Sequence, residues 1–355
     1  SIYELAAHST EKYSQARTKV QQFLGAKEDS EIIFTRGTTD SINLVARSLG
    51  QTFLKEGDEV IISEMEHHSN IVPWQMLVQE KGIQLKFIPM TLEGELYIDV
   101  FKELLSEKTK LVSIAHVANA TGTINPVEEI IALAHQQGAK VLLDGAQAAS
   151  HLSVNVQALD VDFYAFSGHK LYGPTGIGVL YGKEELLREM PPVQGGGDMI
   201  ETVTMEKTTY QEPPLRFEAG TPSIVEVIGL GAAIDYVESI GRPQIEAHLK
   251  ELTTYATQKL IEIPHLKVIG TAKNKGPLIS FVMDDLHPLD LGTLLGLKGI
   301  AIRTGHLCAQ PTLARFGLTA LARLSFGMYN TLGDIDHAVS AIQEGALLLK
   351  PELSY

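Results

Sequence analysis

Apolar positions along this 355-residue chain change period several times. Tyr13, Ala16, Val20, Phe23 and Leu24 recur at helical spacing and Gly25 ends the run, which predicts a helix over residues 1–24. Short apolar runs then alternate with helical ones. The pattern predicts strands at 31–35, 59–62, 84–88, 110–115, 140–143, 161–166 and 177–181. Between them it predicts helices over 41–49, from about 72, over 99–105 and over 126–137. Strands and helices alternating through short joins predict an α/β fold, a mostly parallel sheet covered on both faces. Ligands on such sheets bind beyond the carboxyl ends of the strands. Thr38/Thr39, His67/His68, Asn119, Asp144/Gln147 and Ser167/His169/Lys170 all fall at predicted strand ends, so these clusters are expected to converge on one edge.

The rhythm changes later. Pro191 to Pro214 holds Gln194-Gly-Gly-Gly-Asp198 and few periodic apolar residues, and it is too long for an ordinary connector, so a functional loop is expected. Ser223 to Ile263 reads as two helices broken near Gly241-Arg242-Pro243. Strands near 266–269, 278–282, 301–303 and 322–325 follow, mixed with helices over 288–297 and 334–349. Two domains are expected at this length: a large one over 1–240 and a smaller α+β domain over 241–355.

Composition narrows the function. Hydrophobic residues make up 44%, ample for a large core. A net charge of −14 and a pI near 5.3 argue against a general binder of nucleic acid or anionic membrane. No signal peptide, bilayer-length apolar run or Cys/His metal spacing is visible, so a soluble cytoplasmic protein without a metal site is expected. Cys308 is the only cysteine, so no intrachain disulfide forms. An isolated thiol is either a small buried hydrophobe or a nucleophile. Cys308 lies in Arg303-Thr-Gly-His-Leu-Cys-Ala-Gln-Pro311, a loop bounded by Gly305 and Pro311, and Arg303 and His306 supply cationic or protonatable neighbours. That setting favours a thiolate.

Lys170 ends the run Val161–Phe166 and sits in Ser167-Gly-His-Lys-Leu-Tyr-Gly-Pro-Thr-Gly176, with a second apolar strand after it. A desolvated lysine loses its proton more easily, and its neutral amine can form a Schiff base. On this stretch alone, a lysine that merely leaves a sheet edge competes on equal terms. Asp144 follows Val141-Leu142-Leu143, so its carboxylate needs a nearby cation to stay ionised. A protonated pyridine nitrogen would be one, and a turn cap is the plainer reading. With Lys170 only 26 positions later, the cofactor reading is favoured. Thr35-Arg-Gly-Thr-Thr39 puts hydroxyls at a helix start, which suits a phosphate or an ordinary N-cap. His67 and His68, being adjacent, point different ways; a stacking role and a packing role both stay open. Arg323, in an otherwise apolar strand, needs an anion: a bound carboxylate or a structural ion pair.

Together these stretches resemble the pyridoxal-phosphate-dependent class V aminotransferases and, among them, cysteine desulfurases of the Suf type, which also act as selenocysteine lyases. The matching motifs are Arg36-Gly-Thr-Thr39, Glu66-His-His-Ser-Asn70, Asp144-Gly-Ala-Gln147, Ser167-Gly-His-Lys170, Phe217-Glu-Ala-Gly-Thr-Pro222, Arg303-Thr-Gly-His-Leu-Cys308 and Arg323-Leu-Ser-Phe326. The resemblance implies a fold type I homodimer that binds pyridoxal 5'-phosphate. It implies that Lys170 carries the cofactor as an imine, Asp144 pairs with the pyridine nitrogen, Gln147 bonds the ring oxygen and His67 stacks on the ring. Thr38, Thr39, Ser167 and His169 would hold the phosphate, joined by Thr221 from the partner subunit. Asn119 and Arg323 would hold the substrate carboxylate. Cys308 would take the sulfur and Arg303 would orient it. The implied reaction converts L-cysteine, or L-selenocysteine, to L-alanine and leaves a persulfide for a Suf-type carrier protein and iron–sulfur cluster assembly. A selenocysteine lyase or another class V enzyme is the alternative. The stretch Val117–Gly122 departs from the family's usual residues, and the chain starts where family members have already contributed a strand and an active-site loop. A catalytically silent cofactor-binding subunit is therefore a further expectation.

Overall fold

The computed structural model describes residues 3–351, so the predicted helix start at residues 1–2 and the last four residues of the predicted small domain lie outside the described residues. Helix α1 (Glu4–Leu24) ends on Gly25, which takes the left-handed conformation at φ 65°. Seven strands then build one sheet: β1 (Ile32–Thr35), β2 (Glu59–Ser63), β3 (Gln84–Ile88), β4 (Thr109–Ala115), β5 (Lys140–Asp144), β6 (Phe163–Ser167) and β7 (Gly178–Gly182). Their order is β1-β7-β6-β5-β4-β2-β3. The pairs from β3 to β6 are parallel, as the alternation predicts, whereas β7 runs antiparallel to both β6 and β1. The reason is length. The link from Ser167 to Gly178 is too short for a helical crossover, so the chain doubles back.

Both faces of this sheet are buried, and successive residues serve opposite faces. In β5, Val141 and Leu143 join one core cluster and Leu142 the other. In β6, Tyr164 and Phe166 face the first and Phe163 and Ala165 the second. Burying each such large side chain contributes roughly 1.5–3 kcal/mol. The covering helices are α2 (Thr38–Thr52), α3 (Val72–Lys81), α4 (Ile98–Leu104), α5 (Val127–Gln136), α6 (Val156–Leu159) and α7 (Glu184–Glu189). Helix α2 starts three residues earlier than predicted, directly after Gly37. Helices α6 and α7 are too short to show a period in the sequence.

The long segment after Pro191 is not all loop. It carries a hairpin, β8 (Ile200–Val203) and β9 (Thr208–Tyr210), with Met205 almost fully exposed between the strands. Its strands are largely exposed on both sides and rich in Thr and Glu, so no buried face imposed an apolar alternation. Helices α8 (Ile224–Ile240) and α9 (Arg242–Ile261) follow, broken at Gly241. The last stretch forms a second sheet in the order β10-β11-β13-β12, all antiparallel. Its strands are β10 (Leu266–Ile269), β11 (Leu278–Met283), β12 (Arg303–Gly305) and β13 (Leu321–Ser325); its helices are α10 (Pro288–Leu297), α11 (Gln310–Arg315) and α12 (Leu332–Leu349). Strand β12 lies two residues later than predicted. The segment before β11 ties the two sheets together, because the Ile124 N–H donates to Asn274 O at 3.0 Å. Among the described residues no helix is long and apolar enough to cross a membrane.

Candidate active site

Beyond the carboxyl ends of the parallel strands lies a cavity of about 220 Å³. All five predicted clusters reach it. Thr38 and Thr39 come from the start of α2 and His67 from the turn after β2. Asn119 follows β4, Asp144 and Gln147 follow β5, and Ser167, His169 and Lys170 follow β6. A close approach of two glycines brings the β1 end to the lysine turn. A Cβ on Gly178 would lie 2.3 Å from the Gly37 Cα, so the turn before Thr38 rests directly on β7.

Lys170 ends a one-turn 3-10 segment, Gly168–Lys170. Burial lowers its pKa, and Arg323 lowers it further, while Asp144 and Cys308 pull it back up. Asp144 is 6% exposed. Burial raises its pKa, and Lys170 and the N–H of Ala146, donating to Oδ1 at 2.9 Å, oppose that rise. Each of these two charges therefore depends on the other. His67 is held by its own turn: Nδ1 accepts from the Ser69 N–H at 3.1 Å. Burial, and then Lys170, pushes its pKa down to about 4, so the ring is neutral at ordinary pH.

Hydroxyls fill the side of the cavity toward α2. Ser167 Oγ accepts from the Thr38 N–H at 2.8 Å and lies 2.7 Å from Thr38 Oγ1. Thr38, Thr39, Ser167 and His169 also line a larger adjoining cavity of about 720 Å³, and Thr221 and Arg36 lie there too. Thr221 rides on a loop anchored by Glu218. That carboxylate takes two 2.8 Å bonds from Arg17 and one of 2.7 Å from the Phe34 N–H, and both partners of the ion pair are under a tenth exposed.

Asn119 links the cavity to the second sheet, which lies behind it. Asn119 Nδ2 donates to Leu307 O at 2.7 Å, and Arg323 Nη1 donates to Asn119 O at 2.8 Å. Asn119 Oδ1 and Arg323 Nε are buried with no hydrogen-bond partner among the described residues. Burial, and then Arg303, pushes the Arg323 pKa down to about 10. A structural ion pair for Arg323 is thus not what the fold supplies; the guanidinium is left wanting an anion. Cys308 is half-buried and close enough to Lys170 to act on its charge. Arg303 is exposed on β12, across from Arg323, and none of Arg303, Arg323 and Cys308 is among the residues that line the cavity.

Sequence reasoning did not single out three groups. Ser69 lines the cavity and joins Thr39, with their hydroxyls 2.6 Å apart. Glu66 is fully buried, with a pKa raised by burial to about 7, and it accepts from Ser63 Oγ and Asn70 Nδ2 at 2.5 and 2.7 Å. His116 and Tyr164 meet at 3.3 Å behind Asp144. Glu66 and Ser69 lie within the motif Glu66–Asn70, which gave neither a role of its own; His116 and Tyr164 had no signal.

A pyridoxal phosphate site needs an amine, a carboxylate for a ring cation, and hydroxyl or N–H donors for a phosphate. Lys170 with Asp144 meets the first two needs and Thr39 with His169 the third. The unpartnered Asn119 Oδ1 and Arg323 Nε are free for an amino acid substrate. The residues present fit.

Known proteins agree. The family model for aminotransferase class-V matches residues 1–338. A cysteine desulfurase of Synechococcus elongatus is 53% identical over 352 residues, which cover 98% of this chain and 56% of that protein. A cysteine desulfurase of Dickeya dadantii is 51% identical over 342 residues, covering 96% and 83%. The solved cysteine desulfurase CsdA of Escherichia coli superposes with a TM-score of 0.93 at 41% identity, covering 98% of this chain and 87% of that one. The apo cysteine desulfurase of Thermococcus onnurineus gives 0.94 at 39%, covering 97% and 86%. The chain spans little more than half the length of several curated relatives it matches. Because the family match runs unbroken through both sheets and through every strand end that meets at Lys170, this chain belongs to the class-V aminotransferase family.

Proposed function

We propose that this protein is a pyridoxal-phosphate-dependent cysteine desulfurase, which converts L-cysteine to L-alanine and keeps the sulfur on Cys308 as a persulfide. The observation that carries this reading is Lys170, whose charge is coupled to Asp144 on one side and to Cys308 on the other. Relatives named cysteine desulfurase, matched over almost the whole chain, support it.

When bound, pyridoxal phosphate supplies an electron-accepting ring that acidifies the substrate's α-carbon. Lys170 would hold the cofactor through its amine and move the proton at that carbon; its desolvated setting favours the neutral amine this requires. Asp144 would pair with the ring nitrogen, Gln147 would bond the ring oxygen, and neutral His67 would stack on the ring. Thr38, Thr39, Ser167 and His169 would hold the phosphate, with Thr221 of a second copy completing the site in a homodimer. Arg323 and Asn119 take the substrate carboxylate. Cys308 Sγ, as thiolate, bonds to the substrate sulfur while the substrate C–S bond breaks. The bonding pair goes to the β-carbon, which gains a proton and leaves as the methyl group of alanine. Arg303, exposed beside this loop, orients the adduct for a carrier protein of the Suf type in the cytoplasm. The division between the large and small domains falls near residue 241.

The test is Cys308→Ala, assayed for alanine and persulfide from L-cysteine, with intact mass measured in parallel. The parent gains the mass of one sulfur on turnover and the variant gains none. Persulfide formation by the variant at the parent rate sinks the reading.

A further inference from the structure

We propose that His68 is a positioning residue that holds the Cys308 loop beside Lys170; the proposal rests on the desulfurase reading. His68 follows His67 directly, in the one-turn segment His68–Asn70 after β2. It reaches across to the second sheet with two bonds that bracket the cysteine. Its own N–H donates to Cys308 O at 2.8 Å, and its Nε2 accepts the Gln310 N–H at 3.2 Å. Gln310 is the first residue of α11, where an N–H has no acceptor within the helix, and the N-cap residue Ala309 offers no side-chain cap. His68 thus caps a helix that is far from it in sequence.

The loop needs this support. Leu307 and Cys308 both sit at positive φ, 52° and 54°. Two consecutive residues with side chains in that region are strained, because Cβ crowds the following carbonyl oxygen. Bonds from outside the loop must hold them there. Asn119 does so at Leu307 O and His68 at Cys308 O and Gln310 N. His306 adds a bond within the loop, its Nδ1 accepting the Cys308 N–H at 3.0 Å, and its ring lies 5.6 Å from that of His68. Burial, then His306, holds the His68 pKa below its ordinary value, which keeps Nε2 an acceptor. His67 and His68 are neighbours in the chain, so one backbone turn carries both the ring that faces the cofactor and the clamp on the thiol. The sulfur acceptor is thereby set relative to the cofactor by a single rigid step.

The experiment compares His68→Phe, which keeps a ring and loses the acceptor, with His68→Gln, which keeps an acceptor of similar reach. Cys308 is the only cysteine, so iodoacetamide reads the loop with no background. One lost hydrogen bond of this kind is worth about a tenfold effect. In the cofactor-loaded enzyme, His68→Phe is expected to speed Cys308 alkylation and lower kcat by about that factor, with KM and cofactor absorbance unchanged. His68→Gln is expected to restore both. His68→Asn, too short to reach Gln310, replaces the phenylalanine variant if that one fails to fold. Parent-like alkylation in His68→Phe overturns the proposal. So does a glutamine variant as impaired as the phenylalanine one, or a kcat loss that tracks lost cofactor absorbance. Alkylation needs no turnover, so its outcome is independent of whether Cys308→Ala abolishes persulfide formation.

Discussion

Two halves of the site are built in opposite ways. Lys170 and Asp144 stand at the ends of neighbouring strands in a sheet buried on both faces, and their surroundings leave them little freedom. Cys308 stands on a half-buried loop, in a left-handed backbone conformation, held by a few hydrogen bonds from the other sheet. The difference follows from the chemistry each half serves. Shifting a lysine pKa requires desolvation and a fixed partner charge, which only a packed core supplies. In the proposed reaction the thiol first meets a substrate sulfur and then surrenders it to another protein, so it has to reach solvent.

The sharpest way to test that division is to remove the lysine. Lys170→Ala is expected to lower kcat for alanine formation by about a thousandfold or more, the usual scale for a positioned acid–base group. Iodoacetamide alkylation of Cys308 in the same variant is expected to slow by no more than a few-fold, through loss of the neighbouring charge, because no hydrogen bond of the loop ends on Lys170. A large change in alkylation would mean that the two halves form one unit.

Arg323 lies between the halves. It belongs to the second sheet, yet it donates to Asn119 O, which follows β4 of the first. Its Nε is left without a partner. Arg323→Lys keeps the charge and loses the planar fork that meets a carboxylate with two bonds. About a tenfold rise in KM for L-cysteine, with kcat within about threefold, is the expected result in steady-state kinetics. A kcat loss at unchanged KM would place Arg323 with the thiol loop and not with the substrate carboxylate.

The same contrast explains what could be read in the sequence. Strands β2, β4, β5 and β6 announce themselves because burial on both faces demands apolar runs such as Val141-Leu142-Leu143, and the polar residue after each run is then conspicuous. Asp144 and Lys170 were legible for that reason, and so was their convergence on one edge. The Cys308 loop was legible only as a context of Gly305, His306 and Pro311. Its clamp was not, since His68 and Gln310 meet through a backbone N–H that no side-chain pattern encodes. The β8–β9 hairpin escaped for the opposite reason, having no buried face to impose an alternation. The antiparallel turn of β7 was implicit in the short link after Ser167, and the alternating pattern hid it.

The weakest expected effect concerns acid, and it separates the buried half from the loop by stability. His67, His116 and His151 all have pKa values lowered to about 4, with burial as the largest cause. An unfolded histidine titrates near 6.5, so between about pH 6.5 and 4 the unfolded chain binds more protons at these positions. Stability from the three imidazoles is present at neutral pH and is lost as the pH falls through that window. Two acids oppose them. Glu66, raised to about 7, and Asp144, also raised, bind protons more readily in the folded chain, so their contribution grows as pH falls. The net slope is therefore shallow, and a single substitution should expose it. His116 is 7% exposed, its side chain hydrogen-bonds only to Tyr164 among the described residues, and it does not line the cavity at Lys170. His116→Gln is expected to flatten the fall in denaturation midpoint between about pH 6.5 and 4 by up to about one proton's worth of slope. The pH profile of Cys308 alkylation is expected to stay as in the parent. Matching changes in both would show that acid acts on one cooperative unit and that the contrast between rigid strands and tethered loop does not extend to stability.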